Sequence, residues 1–151
     1  MANAHDSALV ERFLQLPPAG YLPFLLAEGP AILDHACYWQ LVAAAWIGSG
    51  RQAAATEWRQ LFTADRPHRW KLMKKRDRAV WRVLPQTIRA WRAVIFGENV
   101  RAALSWTLDR QKAEHFARSW NRLIVEDQIA KHQVVAYFDR RGERELVVLR
   151  G

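Results

Sequence analysis

The chain has 151 residues, half of them apolar and a quarter charged, with a formal net charge of +8 and a sequence pI near 10.4. This composition excludes a disordered tail and fits a folded unit with a sizeable core. Its positive field favours acidic partners: nucleic acid, anionic cofactors, acidic protein surfaces or anionic lipid.

The N-terminus, "MANAHDSALVERF", has neither the basic segment nor the continuous apolar core of a signal peptide. Asp6 or Ser7 is placed to cap a short helix through Leu14, which Pro17 and Pro18 then stop. A long apolar-periodic segment from Pro30 to Gly48 holds the only cysteine, Cys37, in "DHACYWQLVAAAWIG". A lone thiol in that setting reads as inert and buried, and it rules out an intrachain disulfide. Within this segment "LVAAAWI" is too short to cross a bilayer. A cytoplasmic protein without a membrane partner is therefore expected. "RQAAATEWRQLF" is an alanine-rich amphipathic helix, Asp65 with Pro67 marks a further helix start, and Pro85 closes the helical series.

Beyond Pro85 the apolar period shifts from about 3.6 to 2. "IRAWRAVIF" alternates, "AALSWT" is short and extended, and "QVVAYF" and "ELVVL" are rich in β-formers, with Gly97 and Gly142 as punctuation. One helix intervenes, "LDRQKAEHFARSW", begun by Thr107 or Asp109. Its apolar positions Ala113, Phe116, Ala117 and Trp120 form a single stripe that should pack on a sheet. The expected class is α+β: a helical part over residues 1–85, then a small sheet with one principal helix over residues 86–151, together one compact unit.

Three places hold residues at odds with their surroundings. Alternation puts Arg92 on the same face as Ile88, Ala90, Val94 and Phe96, and a guanidinium there needs an anion. Either a carboxylate from another strand or a bound phosphate would serve. Ser105 and Thr107 share a face at a strand end, where each can cap the helix that follows. Glu143 and Glu145 share a face if their segment is extended, among Arg140, Arg141 and Arg144. That is a solvated hairpin or a paired-carboxylate site.

Taken in order, an aromatic and an arginine on a strand, a strand-end serine before an amphipathic helix, and Glu-x-Glu opening a last apolar strand resemble the arginine-serine-glutamate class of the ADP-ribosyltransferase superfamily. Trp91-Arg92-Ala93 is similar to that family's aromatic-Arg-Gly/Ala strand. Ser105-Trp106-Thr107 resembles its Ser-Thr-Ser strand, and Glu143-Arg144-Glu145 its Glu-x-Glu loop. Trp106 and Thr107 depart from the family's small residues, and the likeness covers residues 86–151 only.

The resemblance implies a small split β-sheet core and a mono-ADP-ribosyltransferase that consumes NAD, releases nicotinamide and needs no metal. By the same resemblance Glu145 stabilises the ribose cation, Ser105 orients Glu145 or the nicotinamide ribose, and Glu143 engages the acceptor, such as a protein arginine. Arg92 would hold a phosphate or ribose oxygen, with Trp91, Ala93, Thr107 and Tyr137 completing the NAD pocket. Three other readings compete: a glycohydrolase in which water is the acceptor, a protein inhibitor without catalysis, and a nucleic-acid-binding module. The last rests on "HRWKLMKKRDRAVWRVL", where Lys71, Lys74, Lys75, Arg76, Arg78 and Arg82 interleave with Trp70 and Trp81. The same cations would also dock an acidic or nucleic-acid-associated target of a transferase.

Overall fold

In the computed structural model the described residues are 3–49 and 55–150. Helices come first and a sheet follows, so the chain has the expected α+β class. It divides into two compact units, Met1–Leu72 and Met73–Gly151, ahead of the boundary read at Pro85.

The first unit is helical: α1 (Ala4–Leu14), α2 (Tyr21–Glu28), α3 (His35–Ser49) and α4 (Ala55–Phe62). The cap of α1 is Asn3, not Asp6 or Ser7. Its side-chain oxygen accepts the Asp6 N–H at 2.8 Å, and its amide donates to the Asp6 carboxylate at 3.2 Å. Asp6 is fully buried and also accepts the Leu33 and Asp34 backbone N–H groups, each at 2.9 Å. Burial pushes this carboxyl upward, but the donors around it outweigh burial and hold it below the usual carboxylate range.

Pro23 hides helix α2 in the sequence pattern, yet it falls in the first turn, where no intrahelical N–H is needed. The segment read as starting at Pro30 begins at His35, after a single 3-10 turn at Gly29–Ala31. Arg51 to Ala54 of the alanine-rich stretch lie outside the described residues. The core here is aromatic: Trp58 and Phe62 each meet Trp46 edge-on at 5.1 and 5.4 Å, and Trp39 donates its Nε1–H to the Pro67 carbonyl at 2.8 Å. The helix expected from Asp65 does not form. His68 takes a left-handed backbone (φ 67°), and only a 3-10 turn, Arg69–Leu72, follows.

The second unit holds α5 (Lys75–Arg82), β1 (Thr87–Val94), β2 (Ser105–Thr107), α6 (Arg110–Trp120), β3 (Leu123–Ala130), β4 (Val134–Phe138) and β5 (Glu145–Val148). The strands make one antiparallel sheet in the order β3-β1-β2-β5-β4. Helix α5 belongs with this sheet because it packs on β4, where the Trp81 Nε1–H reaches the Val134 carbonyl at 3.1 Å.

Asp109 caps α6, its side chain accepting the Gln111 N–H at 2.9 Å, and Asn121 ends the helix in left-handed geometry. Of the expected stripe only Ala113 and Ala117 are buried. Their small side chains let α6 lie close on β1, whereas Trp120 stays 42% exposed and stacks on Phe116. Strand β1 ends at Val94, so Phe96 is 97% exposed instead of sharing the buried face. Strand β3, whose sequence has no clean alternation, pairs with β1 along its whole length.

Candidate functional site

Three neighbouring strands at the centre of the sheet order carry the site. β2 lies between β1 and β5, with Trp91 opposite Thr107, Thr107 opposite Glu145, and Ser105 opposite Val147. Residues directly opposite in an antiparallel pair share a face, and so do residues two apart on one strand. Ser105, Thr107, Glu145 and Trp91 therefore lie on one face. The Ser105 hydroxyl donates to Glu145 Oε2 along the diagonal between β2 and β5. Residues 40 positions apart are joined directly.

Arg92 comes next along β1 and starts from the other face. Its guanidinium donates from Nη1 to the Ser105 carbonyl at 2.8 Å and from Nε to Glu98 Oε2 at 2.7 Å. The expected need for an anion is real, but Glu98 meets it, from the loop that Gly97 (φ 87°) turns back toward β1. Both side chains are about four-fifths buried, so this is a desolvated, charge-assisted pair. Arg92 thus holds the backbone of the very residue whose hydroxyl holds Glu145.

Thr107 is committed on both sides. Its hydroxyl donates to the Glu143 carbonyl at 2.7 Å and accepts the Asp109 N–H at 3.0 Å, pinning the Glu143 loop to the start of α6. The shared face expected for Glu143 and Glu145 required an extended segment. Arg144 between them has φ 47°, Arg141 has φ 55° and Gly142 has φ 71°, so the alternation is broken before β5 begins. Left-handed backbone costs a non-glycine residue about 1–2 kcal/mol, and strain of this kind gathers at functional loops.

The remaining expected pocket residues are distributed unevenly. Trp91 shares the face of Ser105 but is engaged elsewhere: its Nε1–H donates to Glu126 at 3.2 Å and the Arg89 guanidinium lies over its ring. Ala93 is buried in β1. Tyr137 sits opposite Leu146, hence on the face away from Glu145, and is 2% exposed. Burial pushes its phenol upward, with a hydrogen bond to Arg144 acting against that shift. Tyr137 and Trp106 are core residues here, not open stacking platforms.

Glu98 and Glu126 were missed in the sequence. A carboxylate one residue after a turn glycine, six positions beyond an inward arginine, was the available signal for Glu98. Among the described residues no group of three or more His, Cys, Asp or Glu side chains could hold a metal ion. Nor, among them, is any helix long and apolar enough to cross a membrane. No protein-family model, curated protein or solved structure matches the chain.

Proposed function

We propose that the Ser105–Glu145 pair is the catalytic centre of a cytoplasmic mono-ADP-ribosyltransferase. The observation that carries this reading is the joining of Arg92, Ser105 and Glu145, separated by 13 and 40 positions, on three adjacent strands. When bound, NAD supplies a leaving group that is already cationic, so no strong acid is required, and positive charge grows on the ribose as nicotinamide departs. The fixed Glu145 carboxylate stabilises that charge, an interaction realised fully only in the transition state.

Ser105 keeps the carboxylate aimed, and Arg92 keeps Ser105 in place. Because Glu98 already balances the Arg92 charge, Arg92 acts chiefly as a positioning residue, with any grip on the dinucleotide secondary. Glu143, on a loop fixed by Thr107, engages the macromolecular acceptor, whose nucleophile displaces nicotinamide and passes its proton to solvent. Trp91 and Ala93 line the nearby strand. No metal has a part in the reading. The cytoplasmic setting accords with a single cysteine that stays buried and whose thiol burial pushes upward, away from the reactive thiolate.

Incubating the purified protein with NAD labelled in its adenylate half and a cell lysate tests the transfer. Label should appear on macromolecules together with free nicotinamide. Nicotinamide release with no labelled macromolecule would replace the transferase by a glycohydrolase, and no release at all would end the reading.

A further inference from the structure

Charge is divided very unequally along the chain. Of the 23 lysines and arginines, 17 lie in residues 73–151 against nine of the 15 carboxylates; residues 1–72 hold six of each. The sheet unit thus carries the whole formal charge of +8, and the helical unit is neutral.

Within the sheet unit the cations form a continuous band. Lys74, Lys75 and Arg76 are exposed at the start of α5. Asp77, in that same turn, lies under the Asp139 N–H at 3.4 Å, which brings the root of the β4–β5 loop against α5. Burial pushes the Asp77 carboxyl up, the Asp139 N–H lowers it, the Asp139 charge raises it, and Lys74 and Arg76 draw it back down. The loop itself continues the band with Arg140, Arg141 and Arg144, all exposed. Lys112 in the first turn of α6 lies across Gly142, its Cε 3.9 Å from where a Cβ would stand. Among the described residues Lys74, Lys75, Arg76, Lys112 and Arg141 make no salt bridge.

We infer that this band binds the sugar-phosphate backbone of a nucleic acid. A line of unneutralised cations crossing three elements matches a regular run of phosphates better than the compact acidic patch of a folded protein. Arginine forks on the loop suit phosphate oxygens in bidentate fashion. The band includes the loop that bears Glu143 and leads into Glu145. If the transferase reading holds, nucleic acid is then the macromolecule brought to the site, and a free guanidinium acceptor would meet these charges as like charges.

The test is fluorescence anisotropy with a labelled 20-nucleotide single-stranded RNA, using the full chain. Neutralising about five phosphates predicts a log–log salt slope of roughly −3.5 for a single strand. Arg140→Glu with Arg141→Glu should weaken binding more than tenfold and flatten the slope by about 1.4. Arg101→Glu with Arg118→Glu, of equal charge change but away from the loop and from the first turn of α6, should stay within about threefold of wild type. Equal losses in both double variants would reduce the band to bulk charge and overturn the inference. So would failure to bind RNA, or tighter binding of a labelled polyglutamate of equal length. Should the reversal variant unfold, Arg140→Ala with Arg141→Ala must show the same ranking. Glu145→Gln should bind RNA like wild type, so loss of nicotinamide release and loss of RNA binding are read apart.

Discussion

Ser105 is the residue on which the site's geometry turns. Its carbonyl is gripped by Arg92 and its hydroxyl by Glu145, so a single side-chain change separates aim from charge. Ser105→Ala keeps Glu145 ionisable but unaimed, and misplacement on the order of 1 Å costs about 100-fold in rate. Nicotinamide release should fall by about that factor, with Ser105→Thr restoring most of it. An alanine variant with unchanged turnover would remove Ser105 from the mechanism. Arg92→Lys cannot replace a fork that donates to Glu98 and Ser105 in two directions, so it should lower turnover in the same way. Glu98→Gln removes a charge-assisted bond worth about 1.5–3 kcal/mol and should lower the thermal midpoint. An unchanged midpoint in Glu98→Gln would show the pair to be solvated instead of structural.

Among the elements, α1 is tied to the start of α3 by one buried carboxylate. Replacing Asp6 by alanine leaves the Leu33 and Asp34 N–H groups without an acceptor, at about 1–3 kcal/mol each. The Asp6 pKa is depressed in the folded state, below the ordinary 3.8. Its contribution is therefore complete above that value and drains away as pH falls through the lower folded value. Acid unfolding of wild type should show this loss at the acid end, and Asp6→Asn should show a shallower decline there. Identical acid profiles for the two proteins would contradict the assignment.

The elements also show what could be read in advance. β1, β2, β4 and β5 declared themselves by alternation or by β-branched and aromatic residues, with Gly97 and Gly142 as punctuation. β3 did not, because Glu126 and Asp127 break its apolar pattern, and an edge strand exposing Leu123 and Ile124 needs no clean alternation. Arg92 was legible as an inward charge, but Glu98 was not legible as its partner, since loop closure by Gly97 is a tertiary fact. The broken alternation between Glu143 and Glu145 was equally hidden, because nothing in "GERE" requires Arg144 to turn left-handed.

For the molecule as a whole, the candidate site lies in the unit that carries the charge. A neutral helical unit built on aromatic packing precedes a cationic sheet unit that holds every residue of the candidate site. The change of apolar period near Pro85 located the sheet, while the compact unit begins earlier because α5 packs on β4. The central claim is that Glu145 acts by charge while Ser105 only aims it. The measurement that tests it most directly is the rate of nicotinamide release from NAD by Glu145→Gln, run beside its thermal midpoint. Glutamine keeps the shape and an oxygen for the Ser105 hydroxyl, so the midpoint should hardly move. Loss of the preorganised charge should slow release by about 100- to 1000-fold. A folded Glu145→Gln protein that turns over NAD at the wild-type rate would contradict the account.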